Sequence, residues 1–146
     1  MSCSKLVTLY NKCEKSNINV GCISFTNDTP ALCYEVSDDC FWIGLNRNMI
    51  HSEREELCAL AEEVAHYEVG IIPNDYESNS YADKIVREKN ELRAKKRAVR
   101  TLIDKEKIIE YLKKNDYIDL SAMADEFDIT PEFAHQALVT YGLIEN

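Results

Sequence analysis

Apolar residues recur along this chain with two different periods, and the places where the period changes predict its elements. Over residues 5–15, Leu6, Leu9, Tyr10 and Cys13 fall at helical spacing, and Ser16, Asn17 and Asn19 then break the pattern. Three strand-like runs follow at residues 21–25, 31–36 and 40–45. The turn formers Asn27, Asp28 and Pro30 separate the first two, and Ser37, Asp38 and Asp39 the second two, so a small antiparallel sheet is expected. Ser52-Glu53-Arg54-Glu55 is a capping-box pattern with Ser52 as the N-cap and Glu55 reaching back. The helix it opens should run to about residue 68, because Gly70 suits a helix C-terminus and Pro73 cannot continue one.

After a polar, irregular stretch at residues 74–80, a long helix is expected over 81–102, with Ile85, Leu92, Ala94, Ala98, Val99 and Leu102 inward. Asp104 can cap a short helix over 105–114 whose contact positions are Ile108, Ile109 and Leu112. Another short helix covers 120–127, and Thr130-Pro131 opens the last, which Gly142 would end. A small sheet with a helical majority makes the fold class α+β. No repeat, low-complexity tract or linker divides the chain, so residues 1–146 are expected to form a single domain: 1–102 carry the sheet and two long helices, and 103–146 a C-terminal helical subregion.

A chain of 146 residues can bury a core without disulfides. No apolar run approaches the length of a membrane helix, and residues 1–12 lack the apolar core and cleavage site of a signal peptide, so a cytoplasmic location is expected. The six cysteines (Cys3, Cys13, Cys22, Cys33, Cys40 and Cys58) show no CxxC spacing and read as reduced, half-buried small hydrophobes. The formal net charge of −9 argues against nucleic acid or an anionic membrane as a partner.

The chemistry concentrates in residues 60–67, Leu-Ala-Glu-Glu-Val-Ala-His-Tyr. On a helix, positions i and i+4 lie only about 40° apart, so Glu62 and His66 can grip one cation, and Glu63 then faces water beside it. These are the places of ligand, general base and ligand in an HExxH zinc-peptidase helix, with Glu62 in place of the first histidine. Leu57, Leu60, Ala61, Val64 and Ala65 form the apolar stripe on the opposite side. A solvated surface helix would show the same wheel, so the pattern alone leaves both readings open.

A metal centre of this kind needs a third protein ligand from another element. Glu91 is the candidate, because Ala94 and Ala98 follow it on nearly the same stripe and would let two helices approach closely. Asp75, Asp83 and Glu88 are rivals without that alanine track, and a surface pair between Glu91 and Lys95 is the plain alternative.

The stretch Glu53-x4-Cys58-x-Leu60-Ala61-Glu62-Glu63-x2-His66-Tyr67, followed by Glu91-x2-Ala94-x3-Ala98, resembles the ImmA/IrrE family of metallo-endopeptidases. The similarity extends from the N-terminal helix through residues 41–45 to the segment 120–133. The resemblance implies a zincin-like domain that cleaves a cognate helix-turn-helix repressor of a bacterial mobile element, prophage or stress response. Carried over, Glu62, His66 and Glu91 would be the metal ligands and Glu63 the general base of metal-assisted peptide hydrolysis. Glutamate at the first ligand position resembles a variant branch of the family; it makes the site harder and more anionic, so Mn2+ or Fe2+ stand beside Zn2+ as the expected cofactor. Tyr67, Tyr76 and Tyr81 are near enough in sequence to be considered for stabilising an oxyanion, though each is more often a packing residue.

Residues 120–133 also have the rhythm of a helix-turn-helix. From 115 to 146 there is no lysine or arginine, so such an element would repel phosphate. The competing function is therefore a metal-free antirepressor that binds and sequesters a repressor without cutting it. Trp42 is expected between sheet and helix, His51 and His135 at the surface or in the core, and the cluster Arg93, Lys95, Lys96, Arg97 and Arg100 on a solvated face.

Overall fold

The computed structural model describes residues 2–24, 29–37, 40–70 and 81–145, without the side chains of residues 2 and 3. Phe25, the turn residues Asn27, Asp28, Asp38 and Asp39, the stretch 74–80 with Asp75 and Tyr76, Pro73, and the Cys3 side chain lie outside the described residues. The chain forms α1 (Ser2–Lys15), β1 (Ile18–Ile23), β2 (Ala31–Ser37), β3 (Cys40–Asn46), α2 (Glu53–Glu68), α3 (Tyr81–Leu102), α4 (Lys105–Lys113), α5 (Leu120–Phe127) and α6 (Pro131–Thr140). This is an α+β fold.

The sheet is mixed rather than antiparallel. Its strand order is β1-β3-β2: β2 pairs antiparallel with β3, and β1 pairs parallel with β3 from Ile18 opposite Phe41 to Ile23 opposite Asn46. The physical reason is burial. The run from Phe41 to Asn46 is buried nearly throughout, so β3 takes the centre, and the half-exposed β1 and β2 become edges. β1 also starts three residues earlier than expected, because the turn closes at Asn17, whose φ of 59° reverses the chain directly into Ile18.

Sheet alternation places Phe41, Ile43 and Leu45 on the core side and Trp42 on the other, where it lies 3.5 Å from the position a Cβ on Gly21 would take. The expected packing of Trp42 between sheet and helix is thus corrected to the outer face. At Gly44 a Cβ would meet Ile23 Cδ1 at 2.9 Å, so a larger residue there would make the half-exposed Ile23 side chain shift.

The helix ends follow their local chemistry. Ser52 Oγ accepts from the Glu55 amide at 3.2 Å, and Glu55 Oε2 accepts from the His51 amide at 2.8 Å, one residue before the expected partner. Gly70 and Gly142 take positive φ beyond α2 and α6. Thr130 caps α6 through the Phe133 amide with Pro131 in its first turn, whereas Asp104 precedes α4 without a side-chain cap bond.

One apolar cluster runs from Leu6 in α1 through β3 and α2 to Leu138 in α6, and includes Met123, Ile129 and Phe133 of the α5–α6 unit. Ion pairs tie its rim. Glu68, at the end of α2, binds Lys12 of α1 at 2.9 Å and Arg97 of α3 at 2.7 Å, and Arg54 reaches Asp125 and Asp128 at 2.7 and 3.3 Å. Only the C-terminal half of α3 enters the core: Ala94, Ala98, Val99 and Leu102 are buried, Ile85 is intermediate, and Leu92, expected inward, is 45% exposed.

Candidate active site

Both faces of α2 are covered. Leu57, Leu60, Ala61, Val64 and Ala65 enter the core, and on the opposite side His66 is buried while Glu62 and Glu63 are mostly so. That resolves the ambiguity of the helical wheel, because a solvated face would leave these three side chains in water.

The cover comes from α3 and β2. Glu91 Oε2 of α3 lies 3.4 Å from His66 Nε2. Ala94 and Ala98 are buried, and a turn of about 100° per residue puts Ala98 within about 20° of Glu91, so the small side chains line the seam that brings the two helices together. Asp83 stands eight residues earlier, about 12 Å along the axis, and Glu88 faces a groove on the far side of Glu91. From β2, the buried Cys33 thiol comes within hydrogen-bonding reach of Glu63. Sequence reasoning missed Cys33: period-two alternation with Ala31 marks it as buried on β2 but does not point it to Glu63.

The pocket is strongly anionic, and its pKa values respond. Burial pushes the Glu63 carboxyl up to about 7, opposed by the Cys33 thiol and His66 and assisted by Glu62 and Glu91. Glu62 is also raised by burial, with Lys95 and His66 pulling it back. Burial disfavours the His66 cation, but the Glu91 hydrogen bond and the surrounding carboxylates outweigh it and leave His66 raised. Glu91 is lowered by the same bond. Burial drives the Cys33 thiol far above the usual range, so it stays protonated and donates. Glu63 Oε2 and His66 Nδ1 are buried without a hydrogen-bond partner among the described residues.

The donor chemistry suits a divalent cation, since neighbouring ligands of a tetrahedral site with bonds of ~2.0–2.1 Å lie about 3.3 Å apart, close to the His66–Glu91 spacing. Among the described residues, however, no group of three His, Cys, Asp or Glu side chains is gathered closely enough to hold an ion. His66 and Glu91 are the pair in contact, and Glu62 acts on both through its charge.

The remaining candidates separate cleanly. Tyr67 packs on Phe41 with ring centroids 4.9 Å apart and points its hydroxyl toward the Ser16 carbonyl, away from the pair, and Tyr81 is 80% exposed. His51 and His135 are both on the surface. Of the basic cluster, Arg97 is committed to Glu68, whereas Lys95 lies close enough to act on both Glu62 and Glu91.

The profile of the peptidase M78 family, the IrrE N-terminal-like domain, matches residues 13–139, a span that holds Glu62, Glu63, His66 and Glu91. The chain belongs to that family, which is one of metal-dependent peptidases. No curated protein and no solved structure matches it significantly.

Proposed function

We propose that this protein is a metal-dependent endopeptidase whose cation is held by Glu62, His66 and Glu91, with Glu63 as general base. The observation that carries the reading is the approach of His66 and Glu91 from separate helices to 3.4 Å, inside a chain of a metallopeptidase family. When bound, the cation supplies Lewis acidity toward water and the scissile carbonyl. Glu63 takes a proton from water as the oxygen attacks the carbonyl carbon, then delivers it to the amide nitrogen as the C–N bond breaks. The Cys33 thiol steadies its carboxyl, and Oε2, which has no hydrogen-bond partner among the described residues, receives the proton. Two carboxylates and a neutral imidazole balance a dication, and their hardness favours Mn2+ or Fe2+ alongside Zn2+.

The proposed substrate is a helix-turn-helix repressor of a bacterial mobile element or prophage, cut in the cytoplasm. In keeping with this, no described helix is long and apolar enough to cross a membrane. The test pairs the protein with a candidate helix-turn-helix repressor from the same genome. Cleavage should stop with a chelator and fall about 10²–10⁴-fold in Glu63→Gln; unchanged cleavage in that variant removes Glu63 from the mechanism.

A second reading has its own support in the glutamate at position 62 and in the lack of a three-donor group among the described residues. In it, the protein is a metal-free antirepressor, and the same mixture yields a stable complex with an intact repressor.

A further inference from the structure

Two cations near the end of α3 serve different places. Arg97 is tied to Glu68 at 2.7 Å, on the rim of the core. Lys95 stands four residues after Glu91, about 6 Å along the helix axis and about 40° round it, and lines the same groove. Ala94 and Ala98, buried to either side of it in sequence, keep α2 close. The lysine's charge therefore falls on Glu62 of α2 as well as on Glu91, and it pulls both carboxyls down. Lys95 is itself exposed, so its ammonium comes to the site from the solvent side on a flexible stem. Three carboxyls, those of Glu62, Glu63 and Glu91, surround the His66 imidazole, and Lys95 sets a positive charge at their edge.

We propose that Lys95 is a built-in competitor of the divalent cation: its ammonium counters the charge of Glu62 and Glu91, and it repels the ion that enters between Glu91 and His66. The proposal rests on the ligand set of the peptidase reading and adds to it the residue that weakens its grip. A dication brought within about 6–8 Å of a positive charge, in a half-exposed setting screened by salt, loses about tenfold in binding constant. Lys95 thus changes how much cation is needed to fill the site, and leaves the side chains that hold it unchanged. Occupancy then answers to the supply of the metal.

The test is competition for Zn2+ against a chromophoric chelator, with the binding that remains in His66→Ala subtracted to remove sites elsewhere, such as the exposed Cys22 thiol. Lys95→Met should bind Zn2+ about tenfold more tightly than wild type, and the gain should shrink as salt is added. Lys95→Arg, which keeps the charge, should match wild type. So should Lys113→Met, the same loss of charge at an exposed position on α4. Zn2+ bound by wild type and Lys95→Met with equal affinity, weaker binding by Lys95→Met, or a Lys95→Arg protein that gains as much as Lys95→Met would each overturn the role of Lys95 and leave the ligand set standing. No Zn2+ held by any of the proteins above the His66→Ala baseline would overturn the ligand set, and the competition with it.

Discussion

Replacing Ala98 by leucine attacks the site without touching any of its chemical groups. Ala98 is fully buried on the α3 stripe that carries Glu91 toward His66. Leucine adds three carbon atoms where there is no room, an overpacking that costs about 1–3 kcal/mol. Helices packed through alanine approach at the short end of the ~8–10 Å range, and a leucine in the seam moves them apart by about 1 Å or more. The His66–Glu91 separation, now 3.4 Å, would then exceed the 4 Å limit of an ion pair. Ala98→Gly is the control, since it costs about 1 kcal/mol of helix propensity yet leaves the seam narrow. Urea denaturation measures both losses, and the imidazole resonances of His66 in metal-stripped protein report the pairing. Both variants should be destabilised, but only Ala98→Leu should lower the His66 pKa. An Ala98→Leu protein with the wild-type His66 titration would refute the claim that the alanine seam sets the pair.

Two further outcomes follow from Glu68 at the rim of the core and from the cysteines. Burial alone would raise the Glu68 carboxyl, but the bonds from Arg97 and Lys12 outweigh it and hold Glu68 below its ordinary 4.5. A depressed carboxyl stabilises the fold above its unfolded value and ceases to as pH falls through its folded value. Glu68→Gln should therefore cost about 1 kcal/mol at pH 7, given that Lys12 and Arg97 are partly exposed, and the gap to wild type should close below pH 4.5 in acid-titrated urea melts. Burial pushes Cys13 and Cys58 up to about 11, and Cys33 higher still, whereas Cys22 is exposed. At pH 8, iodoacetamide followed by peptide mass mapping should label Cys22 and spare Cys13, Cys33 and Cys58 until denaturant is added; rapid native labelling of Cys33 would contradict its place beside Glu63.

What the sequence made legible was whatever local chemistry decides. Ser52 and Thr130 announce the starts of α2 and α6, Gly70 and Gly142 their ends, and the boundaries of α3 and α5 fall where hydrophobic periodicity places them. Strand order was not legible, because each of the three runs looks like a strand by itself, and only competition for the core gives β3 the centre. Leu92 and Trp42 misled for the same reason: an apolar side chain at the right period does not say which neighbour, if any, will cover it. Within the site, Glu62, Glu63 and His66 are visible as spacing on one helix, and Glu91 through the alanines behind it. Cys33 comes from another element, and no local pattern ties a thiol on β2 to a carboxyl on α2.

The central claim is a shared cation held between α2 and α3, and its most direct measurement is the divalent metal retained per chain after purification and gel filtration, read by inductively coupled plasma mass spectrometry. Wild type should carry close to one equivalent of Zn2+, Mn2+ or Fe2+, and His66→Ala and Glu91→Gln close to none, while both variants remain folded. Metal-free wild type, or variants that keep a full equivalent, would contradict the account.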